Sequence, residues 1–178
     1  PSNPYDAKGL LKSSIRDNNP IIFMESEQMY GDKSYIPDQE YLIPLGKANI
    51  VKEGTDVTIV SYGKMMKVVL EAELELNKNN IFPELIDLRT IRPLDYDLIA
   101  NSVKKTNRLV LVEESWPFGG ISTELTYTIQ KNVFDYLDAP ISRVCSADTP
   151  MAYSSTLVDA FLPNKHSIIE KVRQVMYI

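Results

Sequence analysis

The amino-acid sequence predicts an α/β fold: a mainly parallel sheet with helices on both faces, preceded by the last helix and strand of another domain. From Thr55 onward, short apolar runs alternate with segments whose apolar residues recur at helical spacing. This alternation is typical of parallel sheets covered by helices. Before it, one helix-like and one strand-like segment precede an aperiodic stretch. Two such elements cannot enclose a core, so we expect them to complete a separate domain.

The first 48 residues predict a helix, a strand and an extended connection. Asn3, which is followed by proline, can cap a helix over residues 5–16, where apolar residues recur at helical spacing. After a turn at residues 17–20, the run Ile21–Met24 has the apolar, partly β-branched character of a buried strand. Residues 27–48 mix Gly, Pro, Tyr and charged residues without a period, which indicates an extended connection.

The remaining residues predict strands and helices in regular alternation. Asp95 can cap one of the helices, and the Gly119-Gly120 turn precedes another. The predicted strands are Val57–Val60, Leu85–Leu88, Leu109–Val112 and Ile141–Cys145, and the predicted helices contain residues 65–76, 98–103, 121–133 and 168–176. We expect the core of the sheet to contain Ile59, Ile86, Leu111 and Val144, with the helix faces of Ala72 and Leu125 packed over it.

Composition excludes several classes of protein. With 19 basic and 24 acidic residues the formal charge is −5, so no nucleic acid or anionic membrane is expected as a partner. The single cysteine, Cys145, excludes an intrachain disulfide and a CxxC metal site, as expected in a reducing compartment such as the cytoplasm or an organelle matrix. No apolar run approaches the roughly 20 residues of a membrane span. Because the chain starts at Pro1 rather than Met, we expect it to be a fragment.

Binding sites in parallel sheets usually lie beyond the carboxyl ends of the strands. In that position, Arg89 and Arg92 can bind a phosphate or carboxylate bidentately, and the Gly119-Gly120 turn can receive an anion. We favour the alternative that the arginines pair with neighbouring carboxylates and that the glycines let the loop turn. No GxGxxG or Walker A sequence supports a nucleotide site.

The titratable residues predict no catalytic constellation. His166 is the only histidine and is expected at the surface, while Cys145 lies in a predicted strand and is expected to be a small buried apolar group. Glu113 and Glu114 are adjacent on a strand, so they point to opposite faces and cannot act as an acid/base pair.

Six segments, spread in order over the chain, match a known family. They are residues 1–31, Ile43–Ala48, Ile86–Asp95, Ser102–Thr106, Leu137–Pro140 and Ala147–Met151. Together they resemble the E1 β subunits of thiamine-diphosphate-dependent 2-oxoacid dehydrogenases. The resemblance implies that residues 1–30 end a pyrimidine-binding domain, that residues 31–48 are a linker, and that residues 49–178 form a transketolase C-terminal domain.

The resemblance is stronger to the pyruvate type of this family than to the branched-chain type. Glu27–Gly31, Gly46–Ala48 and Trp116-Pro117 resemble the pyruvate type, whereas Ala139–Cys145 also resembles the branched-chain type. A β subunit of an acetoin dehydrogenase is a third alternative.

The resemblance also implies a cofactor and partners. In this family an E1 α subunit binds thiamine diphosphate and Mg²⁺, and the N-terminal domain of β supplies the glutamate that activates the cofactor. The 2-oxo acid is decarboxylated and its acyl group passes to lipoyl-lysine on E2. The family's catalytic residues precede the part of β that this chain resembles, so we assign no catalytic or cofactor-binding residue here. The implied partners are E1 α, a second β subunit and the peripheral-subunit-binding domain of E2.

Two sites carry over residue by residue from the family. Ser14, Asp17 and Asn19 occupy the positions of a structural K⁺ ion at a helix end, where carbonyl oxygens attract cations. The alternative is an ordinary Asp/Asn turn. Asp138 and the carboxylate of Ile178 match the family's acidic contact for the basic E2 domain. The alternative to this docking role is that both groups belong to a solvated acidic rim. A separate hypothesis for the whole chain is that it is a non-catalytic assembly and E2-docking module.

Overall fold

The computed structural model describes residues 1–178 as six helices, five strands and two short 3₁₀ turns. The helices are α1 (Pro4–Arg16), α2 (Met65–Lys78), α3 (Tyr96–Thr106), α4 (Ile121–Val133), α5 (Ser155–Phe161) and α6 (Lys165–Met176). The strands are β1 (Asn49–Lys52), β2 (Val57–Ser61), β3 (Pro83–Asp87), β4 (Leu109–Val112) and β5 (Ser142–Val144), and the 3₁₀ turns are Glu27–Met29 and Phe134–Tyr136.

The five strands form one sheet in the order β1-β3-β2-β4-β5. Strands β3, β2, β4 and β5 are parallel, and β1 runs antiparallel to β3 at one edge. In the centre of the sheet, Ile59 of β2 lies between Leu85 of β3 and Val110 of β4. The prediction of a mainly parallel sheet with helices is confirmed.

The core has two layers because successive residues of a strand face opposite sides of the sheet. Ile59 packs in a cluster formed with α2 and α6, whereas Val60 packs in a cluster formed with α3 and α4. All the predicted core residues are buried, and they divide between the two layers: Ile59, Val144 and Ala72 on the first side, and Ile86, Leu111 and Leu125 on the second.

Local capping residues begin the helices where the sequence predicts. The Asn3 side chain accepts a hydrogen bond from the backbone N–H of Asp6, and Asp95 accepts one from that of Leu98. These bonds satisfy amide groups that the first turn of a helix leaves without a partner. None of the helices combines the length and apolarity that crossing a membrane requires.

Helix α1 lies against residues 31–48, the segment that the family resemblance predicts to be a linker. Its Leu10 is buried, and the Ser13 hydroxyl donates to the carbonyl oxygen of Ile43 at 2.6 Å. The rings of Tyr5 and Tyr41 stack with their centroids 4.4 Å apart. The linker therefore forms the surface on which α1 packs.

The predicted strand at Ile21–Met24 is wrong for this chain. These residues are not in a strand, and Ile22 and Met24 are 90% and 80% exposed. A strand needs a neighbour to receive its backbone hydrogen bonds, and no other segment pairs with this one. The sequence also did not predict β1 or the short helix α5, which has no buried residue to produce an apolar period.

Candidate functional site

The carboxyl end of β4 holds a buried carboxylate. Glu113, which is 1% exposed, follows this strand and accepts hydrogen bonds from the backbone N–H of Ser122 at 3.2 Å and from its hydroxyl. The Tyr62 hydroxyl donates to the same carboxylate at 3.2 Å. Ser122 lies in the first turn of α4, where the unpaired N–H groups favour negative charge. The sequence left open that this turn receives an anion, although we favoured a purely structural role for its glycines; in the structure the helix start receives the carboxylate of Glu113 from the protein itself.

Gly120 is required where α4 approaches this carboxylate. A Cβ atom there would overlap Glu113 Oε1 and lie 2.7 Å from the Ser115 hydroxyl oxygen. The glycine therefore allows close packing of α4 against Glu113. The sequence predicted only that the glycines let the loop turn.

Two further groups at this end of the sheet have raised pKa values. Burial raises the pKa of Cys145, and the Glu113 carboxylate, which lies 3.8 Å from its sulfur, raises it further. Burial and the same carboxylate raise the pKa of Tyr62 well above its ordinary value. Both groups stay neutral at pH 7, so neither is an activated nucleophile. Cys145 is half-buried and in polar surroundings, which corrects the expectation of a buried apolar group.

The carboxyl end of β3 holds a second buried cluster. Arg89 binds both carboxylate oxygens of Asp6, with its Nε at 2.9 Å and one terminal nitrogen at 2.8 Å. Asp87 accepts from the Arg89 backbone N–H at 3.0 Å and from the Ser2 hydroxyl. Arg89 therefore binds a carboxylate bidentately, but the carboxylate belongs to α1. We expected both arginines to pair with neighbouring carboxylates. Arg89 does pair with a carboxylate, but with one that is distant in sequence, whereas Arg92 is exposed and forms no ion pair.

The loop between β4 and α4 carries exposed aromatic side chains on an anchored backbone. The Trp116 indole N–H donates to the carbonyl oxygen of Thr149 at 3.0 Å, and Arg143 donates to that of Pro117 at 2.9 Å. Phe118 is nevertheless 89% exposed. Because Trp116 is also 52% exposed, this anchored loop presents two aromatic rings to the solvent.

The structure brings two of the three predicted K⁺ ligands together. The Asp17 carboxylate accepts from the backbone and side-chain nitrogens of Asn19, both at 2.8 Å, and these bonds lower the Asp17 pKa. The Ser14 hydroxyl instead donates to the carbonyl oxygen of Leu10 at 2.8 Å. These bonds form an Asp/Asn turn, which is the alternative that the sequence offered. The K⁺ site stays a prediction.

The predicted docking residues lie at the carboxyl end of α6. Asp138 is 57% exposed at its side chain and forms an ion pair with Arg108 at 3.4 Å, while its carbonyl oxygen accepts from the Tyr177 hydroxyl at 3.3 Å. Arg108 also donates to the Val175 carbonyl oxygen at 3.2 Å. Ile178 follows Tyr177 and is 72% exposed. The sequence did not predict that Arg108 partly neutralises Asp138.

The remaining candidate residues do not meet. His166 is exposed on α6, as expected. Glu114 pairs with Lys64 at 2.6 Å, away from the buried Glu113, so the two glutamates do diverge. No cluster of three or more His, Cys, Asp or Glu side chains is placed to hold a metal ion. The sequence also missed Asp6 and Ser122 as the partners of Arg89 and Glu113, because each pair joins separate elements.

Fold and site together define a mainly parallel α/β domain whose buried strand-end groups, Asp87, Arg89 and Glu113, have partners within the chain. Residues 46–168 match the family described as transketolase, C-terminal domain. The chain belongs to this family.

Similarity to curated proteins extends over the whole chain. It is 46% identical to the mitochondrial pyruvate dehydrogenase E1 component subunit beta of Dictyostelium discoideum, over 98% of this chain and 50% of that protein. It is 46% identical to the pyruvate dehydrogenase E1 subunit beta of Rickettsia bellii, over 100% of this chain and 55% of that protein. The chain thus spans about half the length of these relatives. The resemblance to E1 β subunits is confirmed.

Two other similarities bear on substrate and fold. The chain is 44% identical to the beta subunit of the acetoin:2,6-dichlorophenolindophenol oxidoreductase of Cupriavidus necator, over 99% of this chain and 52% of that protein. A solved structure described as a split gene transketolase, an inactive beta4 tetramer, superposes with a TM-score of 0.71 at 24% identity. It covers 82% of this chain and 46% of that one, and it supports the fold alone.

Proposed function

We propose that this chain is part of the β subunit of a pyruvate dehydrogenase E1 enzyme and that its own role is subunit assembly and docking of E2. The observation that carries the proposal is the 46% identity to pyruvate dehydrogenase E1 β subunits along the whole chain. The complete E1 decarboxylates pyruvate and transfers the acyl group to lipoyl-E2. A bacterial cytoplasm or an organelle matrix is the corresponding compartment.

The exposed apolar surface supports an assembly role. Large apolar side chains are normally buried in a stable domain, and contiguous exposed ones mark contact surfaces. Exposed large apolar side chains occur here in three segments, namely Ile22–Met24, the aromatic loop at Trp116–Phe118 and the segment around Tyr153, which is fully exposed. An E1 α subunit, a second β subunit and the rest of β are the partners we propose for these surfaces.

The residues present do not by themselves form a thiamine diphosphate site. The carboxylates at the strand ends, Glu113 and Asp87, are buried and already accept hydrogen bonds from the chain, and Arg89 is taken by Asp6. Of the two strand-end arginines only Arg92 is left without an ion pair, and one exposed guanidinium does not make a site for a diphosphate and its Mg²⁺. We therefore propose that thiamine diphosphate and Mg²⁺ are held by E1 α together with other parts of β. The structural K⁺ at Ser14, Asp17 and Asn19 remains part of the proposal.

For docking, we propose that Asp138 and the Ile178 end of the chain receive basic side chains of the E2 peripheral-subunit-binding domain. The Asp138 side chain is largely exposed and forms an ion pair with Arg108. It therefore acts at the hydrated rim of the interface rather than in a desolvated pocket. In surface plasmon resonance with full-length β assembled with α, Asp138→Asn should weaken E2 binding about two- to fivefold, mainly through slower association at low salt.

Asp135→Asn is the matched control, since Asp135 is a nearby exposed carboxylate with no ion pair. It should change association less than Asp138→Asn does. If Asp138→Asn changes neither rate constant, Asp138 is an ordinary surface residue and the docking proposal fails.

The substrate is tested separately, because the acetoin-type relative is nearly as similar as the pyruvate-type ones. Full-length β should be produced with its α subunit, and reduction of an artificial electron acceptor should be followed with pyruvate, acetoin and a branched-chain 2-oxo acid. We expect the highest kcat/KM with pyruvate. A higher value with acetoin or the branched-chain acid would assign the chain to that type instead.

A further inference from the structure

Helix α1 touches the end of the sheet through a single pair of charged side chains. Every other hydrogen bond and ion pair from α1 to a later part of the chain goes to the linker, for example from Lys8 to the Pro37 carbonyl oxygen and from Arg16 to Glu40. The bonds of Arg89 to Asp6 are the exception, and they join positions 83 residues apart. Just before the helix, the Ser2 hydroxyl also donates to Asp87 at the end of β3. The Asp6–Arg89 pair is the link that joins two oppositely charged side chains and that belongs to the helix itself.

The pair is buried and geometrically matched. The side chains of Arg89 and Asp6 are 16% and 2% exposed. The guanidinium binds the carboxylate with two nitrogens, which adds orientation to attraction, because a fork of two parallel bonds fits one direction only. Asn3, which caps α1, donates its amide to the same carboxylate at 3.1 Å. The pair thus lies at the amino end of the helix and fixes its first turn.

The backbone of Arg89 is held in an unusual conformation to make this contact. Its φ angle is +57°, in the left-handed region that most residues other than glycine avoid. The Asp87 carboxylate accepts the Arg89 N–H at 3.0 Å and secures this turn at the carboxyl end of β3. Such a conformation persists only where the surroundings determine it strongly. Here the turn directs the guanidinium at α1.

We infer that Asp6 and Arg89 form a latch that holds α1 on the carboxyl edge of the sheet and can release it while the sheet stays folded. The latch is an internal conformational device, independent of which 2-oxo acid the proposed enzyme uses. When it opens, both charges reach water, so opening leaves no unpaired charge buried and does not require the core to unfold. The core layers contain no residue of α1, which lets the two parts separate.

Hydrogen exchange on the full chain tests the latch, with the exchange of α1 amides compared with that of β2 and β4 amides. In Arg89→Met, which keeps the apolar stem, α1 exchange should rise about 10- to 100-fold while strand exchange changes less than about threefold. Arg89→Lys keeps the charge but not the fork and should give an intermediate rise. Arg89→Lys is the milder substitution, so the test can be read from this variant if Arg89→Met does not fold.

Two controls separate a latch from general stabilisation. Arg92→Met removes an exposed arginine from the same loop and should leave α1 exchange unchanged. The double variant with Asp6→Asn and Arg89→Met should exchange no faster in α1 than Arg89→Met alone, because both changes break one interaction. The inference is overturned if Arg89→Met leaves α1 protected, if β2 and β4 lose protection equally, or if the two substitutions act additively.

Discussion

Leu111→Ala is expected to destabilise the domain by about 2 to 5 kcal/mol. Leu111 lies in the middle of β4, is 1% exposed, and packs in the layer formed with α3 and α4. The substitution removes three buried carbon atoms, and the surrounding strand and helices can fill the cavity only in part. In a domain of this size each kcal/mol lowers Tm by about 2 to 4 °C, so Tm should fall on the order of 10 °C.

Urea unfolding followed by circular dichroism measures this loss, with Leu74→Ala as the matched control. Leu74 is a leucine of α2 that is 62% exposed, so the control should cost less than about 0.5 kcal/mol. If Leu111→Ala costs less than about 1 kcal/mol, or no more than Leu74→Ala, β4 is not a central strand and the two-layer core is refuted.

Two further predictions concern the buried groups at the strand ends. Burial raises the pKa of Asp87 above its ordinary 3.8, so its contribution to stability is present below pH 3.8 and is lost as pH rises through the raised pKa. The free energy of unfolding should be measured by urea titration from acid to neutral pH. Asp87→Asn has no such loss, so its free energy of unfolding relative to that of the wild type should rise with pH. If the two proteins show the same dependence on pH, the prediction is refuted. Burial also raises the pKa of Cys145, and the Glu113 carboxylate raises it further. The thiol of the folded chain should therefore react with a disulfide reagent at pH 8 more slowly than the thiol of the urea-unfolded chain. Glu113→Gln should accelerate the native reaction, and equal native rates would show that the carboxylate does not act on the sulfur.

Local signals in the sequence predicted much of the fold. Asn3 and Asp95 cap their helices as expected, because a cap needs only residues within one turn. The strands of the parallel sheet were visible as apolar runs, because they are covered on both faces. β1 was missed since it is short, only partly buried and at the antiparallel edge.

The strand-end clusters could be predicted only in part. The sequence indicated that Arg89 would pair with a carboxylate, but the partner is Asp6, which is 83 positions away. The sequence identified Glu113 only as one of two adjacent glutamates that point to opposite faces. In the structure it is buried and accepts hydrogen bonds from Ser122 at the start of α4. Ile21–Met24 was predicted as a strand from its composition, yet strand formation depends on a neighbour that composition does not reveal. In each case the missing information is a contact between distant elements.

Calorimetric titration of the chain with thiamine diphosphate and Mg²⁺ tests most directly whether it serves assembly and docking rather than cofactor chemistry. The strand-end carboxylates and Arg89 are already paired within the chain, so no site for the diphosphate is expected here. We predict no saturable binding heat up to about 1 mM cofactor, which corresponds to an affinity weaker than roughly −4 kcal/mol. Binding with a Kd of about 1 μM or tighter, or roughly −8 kcal/mol, would contradict the proposed role and place a cofactor site in this chain.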